Sequence, residues 1–128
     1  MQVLQSRVLL RPSDLDRSIE FYEHQLGLVR YRDWGQPPNR GVVYFLGGGY
    51  LELTEGGGGP PPGPCVRLWL QVADARSACD ELAARGVTID AEPERKPWGL
   101  IESLVHDPDG LPIVVVETPV THPLRRRQ

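Results

Sequence analysis

Apolar residues fall along the chain in short strand-like runs, interrupted once by a helical stripe, and the whole pattern then occurs a second time. Val3 to Leu10 is rich in branched apolar residues and reads as a strand. Pro12 ends it, and Ser13 or Asp14 is placed to cap a helix by accepting from its free first-turn amides. Leu15, Ile19, Tyr22 and Leu26 follow at helical spacing, and Gly27 suits the left-handed position that closes a helix. Leu28 to Trp34 predicts a second strand, and Gln36 to Arg40, with two prolines, predicts a loop. Gly41 to Leu46 and Tyr50 to Glu55 predict a hairpin around Gly47, Gly48 and Gly49.

The second half repeats this order. Val66 to Val72 reads as a strand, Asp74 as a cap, and Ala75, Cys79 (or Ala78) and Leu82 as the apolar stripe of a helix closed by Gly86. Val87 to Ala91 predicts a strand and Glu92 to Trp98 a polar loop. Leu100 to Val105 and Leu111 to Glu117 are the last two strands, joined by the turn HDPDG, in which Pro108 presets one backbone angle and Gly110 accepts a positive φ. Arg7 and Arg67, and Asp14 and Asp74, stand at matching places roughly 60 residues apart. Gly27 and Gly86 are one residue closer than that, so the two helices differ in length by one residue.

Two β-α-β-β-β copies predict a single α+β domain over residues 1–119. Its modules fall at about 1–56 and 65–119, joined by a Gly/Pro-rich linker at 57–64 and followed by a basic tail at 120–128. At 128 residues the chain is long enough to bury a core without staples. A net charge of −3 gives no general attraction to nucleic acid or to an anionic membrane. No apolar run approaches the roughly 20 residues that cross a bilayer. The N-terminus lacks the features of a secretory signal, so a cytoplasmic protein is expected. Cys65 and Cys79 are not spaced as a metal clip or redox pair, and Cys79 reads as a buried free thiol.

The segments SDLDRSIEFYEHQLGL, YLELTE and WGLIESLVHDPDGLPIVVVE carry a resemblance to the vicinal oxygen chelate superfamily. That group includes glyoxalase I, extradiol dioxygenases, and fosfomycin- and bleomycin-resistance proteins. The resemblance covers Val3 to about Thr118. It implies two modules with curved mixed sheets enclosing a cleft, and a homodimer that completes it. It also implies four metal-ligand positions, which fall here on Arg7, Glu52, Arg67 and Val114. Arginine has no free lone pair to give a cation, and valine has no donor at all. One carboxylate does not hold a transition metal against water, so no metal and no cofactor are expected at this place. Glu117 is no substitute, because side-chain alternation puts it on the opposite sheet face from Val114.

With that fold, strand parity points Arg7, Leu9, Glu52, Arg67, Trp69 and Val114 into the cleft, with Tyr44 or Phe45, Tyr50 and Trp98 as its aromatic residues. Two guanidiniums facing one carboxylate fit a self-satisfied cluster, an anion site, or a catalytic site with Glu52 as general base. The leading expectation is a metal-free protein of the bleomycin-resistance type that sequesters a small planar or anionic molecule, an antibiotic or a metabolite. It would bind through Arg7, Leu9, Tyr44, Glu52, Arg67, Trp69, Trp98 and Val114. Next come a metal-independent lyase, isomerase or cyclase working through Glu52, and then a metalloenzyme with other ligands, such as Glu52 with His106. A non-catalytic interaction module comes last. No nucleic-acid or membrane partner is expected.

Overall fold

The computed structural model describes residues 1–56 and 65–123. The expected linker at 57–64, and 124–128 of the expected tail, lie outside the described residues. The chain divides into two compact units, Met1–Pro60 and Pro61–Gln128. Each holds one four-stranded mixed sheet backed by one helical segment.

The first unit runs β1 (Arg7–Leu10), a helical segment, β2 (Arg30–Trp34), β3 (Gly41–Leu46) and β4 (Gly49–Thr54), with the strands in spatial order β1-β4-β3-β2. β1 pairs parallel to β4, and the other pairs are antiparallel. The second unit repeats this with β5 (Leu68–Val72), a helix, β6 (Ala91–Arg95), β7 (Ile101–His106) and β8 (Pro112–Glu117), ordered β5-β8-β7-β6. β5 is parallel to β8.

Asp14 and Asp74 are the helix caps. Asp14 Oδ1 accepts from the Arg17 amide at 3.2 Å, and Asp74 Oδ1 from the Ser77 amide at 2.9 Å. Gly27 and Gly86 close the helices at φ 80° and 90°. The one-residue difference between the copies is absorbed inside the first helix. α1 (Leu15–Ile19) passes into a wider π-helical turn over Glu20–Gln25, where the Leu26 amide reaches back five residues to the Phe21 carbonyl at 2.8 Å. α2 (Ala75–Ala84) is an unbroken α-helix. A π-helical turn is how a helix accepts an inserted residue without losing its packed face. Here that face buries Leu15, Ser18, Phe21 and Tyr22. Ile19 and Leu26, expected on the stripe, are only half-buried.

The strands begin later than the apolar runs, since residues 3–6 and 66–67 make no ladder. A larger departure is β6. Glu92 to Arg95 reads as a polar loop but forms an edge strand, while 87–90 does not. An edge strand has one unpaired side and tolerates charge and proline, so its sequence lacks the apolar signature of a strand.

The helix-facing side of each sheet carries much of the core. In the first unit it carries Val42, Tyr44, Leu51 and Leu53, and in the second Leu68, Ile113, Val115 and Val105. Glu55 and Glu117 also face this way and join each sheet to its helix. Glu117 Oε1 accepts from the Ala75 amide at 3.0 Å, in the first turn of α2. Glu55 works through Arg40, which bonds both Glu55 and Asp16 at the start of α1. That Arg40 guanidinium holds the Glu55 carboxyl below the usual carboxylate range.

On the opposite side of the first sheet the Trp34 indole lies across Gly41, where a Cβ would come within 2.2 Å of the ring. Gly41→Ala is therefore expected to push Trp34 off the sheet and to cost about 1–3 kcal/mol, the scale of overpacking. Denaturant unfolding, followed through the Trp signal, measures this.

Candidate functional site

The side of each sheet away from its helix, its open face, mixes exposed side chains with buried Val43, Val114 and Val116, and register decides what stands there. In the first unit, Arg7 pairs with Tyr50 and Tyr50 with Phe45, one cross-strand row. Leu9, Glu52 and Val43 form the next row inward. The Arg7 guanidinium donates from Nη1 to Glu52 Oε1 at 2.8 Å and from Nη2 to Gln5 Oε1 at 3.2 Å, and it lies 5.5 Å from the Tyr50 ring centre. Thr54 Oγ1 is 3.3 Å from Glu52 Oε2. Both charges of the pair are mostly shielded, so their attraction is stronger than that of a surface salt bridge.

Tyr44 does not belong to this face. It pairs with Leu51 on the helix side and is fully buried, and its hydroxyl is 3.1 Å from Glu23 Oε1. Burial is the main reason that its phenol titrates well above the usual tyrosine range, followed by the Glu23 charge. Glu23 also accepts from Arg30 Nε at 2.7 Å. Tyr44 is thus a core and network residue, and the aromatic residue of the open face is its neighbour Phe45. The hairpin register carries the signal: a two-residue turn at Gly47–Gly48 pairs Phe45 with Tyr50 and puts it on the Glu52 face.

Tyr31 has no such signal. The β2–β3 register shifts between Arg30 and Arg32, and this bulge turns Tyr31 onto the open face. There its ring centre is 5.1 Å from Phe45 and 5.3 Å from Tyr50. The Phe45 and Tyr50 rings are 5.7 Å apart.

In the second unit, Trp69 pairs with Val114 on the face away from α2. Trp69 is half-exposed, whereas Val114 is buried in an apolar cluster with Leu100, Val116 and Leu104. Arg67 is exposed, just ahead of β5 rather than within it. Trp98 sits in the β6–β7 turn and donates from its indole N–H to Glu102 Oε2 at 2.6 Å. His106 ends β7, with Nδ1 2.7 Å from Asp90 Oδ2. Among the described residues no three His, Cys, Asp or Glu side chains gather to hold a metal ion. None of the described helices is long and apolar enough to cross a membrane.

Two four-stranded mixed sheets, each a βαβββ unit with its helix on one side, define the class of tandem βαβββ proteins. The chain belongs to the Glyoxalase/Bleomycin resistance protein/Dioxygenase superfamily, whose family model matches residues 5–115. It is 33% identical to a lactoylglutathione lyase of Haemophilus influenzae, over 94% of this chain and 96% of that one. Among solved structures it is similar to SMU.1112c (TM-score 0.78, 25% identity, covering 91% of this chain and 99% of that one). It is also similar to TnmS3, an antibiotic binding protein from Streptomyces sp. CB03234 (TM-score 0.70, 27% identity, 92% and 100%).

The residues at the four positions where the resemblance implies metal ligands do not have the donors of a divalent-cation site. Glu52 is the one donor, and its carboxylate is already held by Arg7 and Thr54. Arg7 and Arg67 would repel a cation, and Val114 has no lone pair to offer.

Proposed function

We propose that the chain binds a small planar or anionic molecule without a metal, anchored on the Arg7–Glu52 pair. The observation that carries this is the 2.8 Å ion pair itself, standing where the superfamily resemblance implies metal ligands. Arg7 leaves guanidinium N–H groups unused and Glu52 leaves lone pairs unused, so the pair offers donors and acceptors side by side. Leu9, at 64% exposure, and the rings of Phe45 and Tyr50 flank it with apolar surface, the usual composition of a small-molecule site. Trp69 and Trp98 offer similar chemistry on the second unit. The likeness to an antibiotic binding protein supports binding over turnover. The likeness to lactoylglutathione lyases extends over most of the chain, and the chain itself lacks the donor set that a metal needs.

Two measurements test this together. Thermal unfolding with Zn²⁺, Ni²⁺ or Mn²⁺ should show no rise in Tm, because a ligand stabilises only what it binds. Mass spectrometry of a bound compound after release should return it unchanged. A stoichiometric metal that raises Tm, or a converted ligand, would overturn the reading.

A further inference from the structure

We infer that Tyr31, Phe45 and Tyr50 form an aromatic subsite that makes the ligand of this face a planar aromatic molecule. The inference rests on the proposed binding function and chooses between the two ligand types that it allows. The three rings lie on the side of the sheet that the helix does not cover, with centres between 5.1 and 5.7 Å apart. They are not core: Tyr31 is 50% exposed and Phe45 43% exposed. Three large rings left partly open side by side form a contiguous apolar patch, the kind of surface that marks a ligand site where single exposed side chains do not.

Their orientation supports the same conclusion. Tyr31 meets Phe45 nearly edge to face at 78°, and Tyr31 and Phe45 are tilted to Tyr50 by 52° and 42°. The rings therefore make a corner with faces still open to a further stacked ring. The guanidinium over Tyr50 and the bulge at Tyr31 hold that corner in place. Tyr31 is the residue the bulge inserts, and its side chain joins the patch rather than the core.

Charge narrows the class further. Arg7 and Glu52 cancel as a pair, and Arg32, a further guanidinium on this face, lies over the Trp34 ring rather than over the three rings. A ring is held here by its faces, and a polar edge group by the pair beside them. A flat aromatic with one donor or acceptor on its rim fits this arrangement. Beside the three rings, a saturated acid of similar size has only the neutralised pair to bind.

Titration calorimetry with three probes tests it: 2-naphthol, 2-naphthoate and cyclohexanecarboxylate. The wild-type chain should bind both naphthyl probes about tenfold or more tightly than the saturated acid. The Tyr31→Ala/Phe45→Ala variant should lose about tenfold or more for the naphthyl probes, the scale of losing aromatic anchors, with no change for the saturated acid. Both positions are half-exposed, and circular dichroism with thermal unfolding confirms that the variant is folded. Should it be unfolded, the milder Phe45→Leu carries the same expectation with a smaller loss. Naphthyl binding that the substitutions leave unchanged overturns the aromatic subsite, as does a saturated acid that binds equally well. In those two cases the proposed binding function stands. No binding of any probe overturns both.

Discussion

Tyr44→Ala is expected to destabilise the first unit by about 3–5 kcal/mol, the cost of deleting a fully buried aromatic side chain and leaving a cavity. The loss goes beyond packing. Glu23, which meets Tyr44, Arg30 and His24, would lose the first of these partners. Tyr44→Phe keeps the ring and removes only the hydroxyl, so it should cost about 1 kcal/mol. If Tyr44 lined the ligand site, Tyr44→Phe would change affinity as much as stability. Its position on the helix side predicts no change in affinity for any probe that binds the open face. The buried phenol also sets an alkaline limit. Its pKa is raised above the ordinary value of 10.0, mainly by burial. Well below pH 10 the phenol is protonated in both folded and unfolded chains, so its contribution to stability is fully present and does not vary with pH. As pH rises beyond that, the unfolded chain releases the proton first, and this contribution to stability is lost. Unfolding midpoints at pH 8 and pH 11 should therefore lie closer together in Tyr44→Phe than in the wild type.

The same residue shows where alternation stops being informative. The repeat, the two aspartate caps and the closing glycines are local signals, each tied to one backbone requirement, and the structure has them where the pattern puts them. Glu117 on the helix side follows from parity along one continuous strand. Parity across a hairpin needs the turn length as well, and three consecutive glycines leave that open. Tyr44 and Phe45 were both consistent with the pattern until the pairing of Leu46 with Gly49 was known. Tyr31 lay beyond reach because a bulge is set by how two strands meet, not by either strand's own residues. β6 is hidden in the sequence for another reason: Glu92, Glu94 and Arg95 are compatible with an edge strand yet look like loop. The one-residue mismatch between the copies was visible as a length difference, but its form, a π-helical turn, appears only in the hydrogen bonding.

The Arg7–Glu52 pair makes the last and most discriminating forecast. Because Glu52 lies 2.8 Å from Arg7, it competes with any anion for the same guanidinium. Glu52→Gln keeps the shape, removes that competing charge and releases Arg7 to a ligand carboxylate. At an effective dielectric near 20, discounted for partial exposure, this should strengthen binding of 2-naphthoate by about tenfold. Arg7→Ala removes the cation and leaves Glu52 facing the ligand, so the same probe should bind about tenfold more weakly. The two variants would then differ by about a hundredfold, with opposite signs about the wild type. The uncharged 2-naphthol should respond much less to Glu52→Gln. If Glu52 instead acted as a base on the ligand, Glu52→Gln would abolish turnover while changing affinity little. If the pair only held β1 to β4, both substitutions would lower stability and neither would sort the probes by charge. Calorimetric affinities for the two naphthyl probes, set beside the unfolding midpoints of the same two variants, separate these three roles.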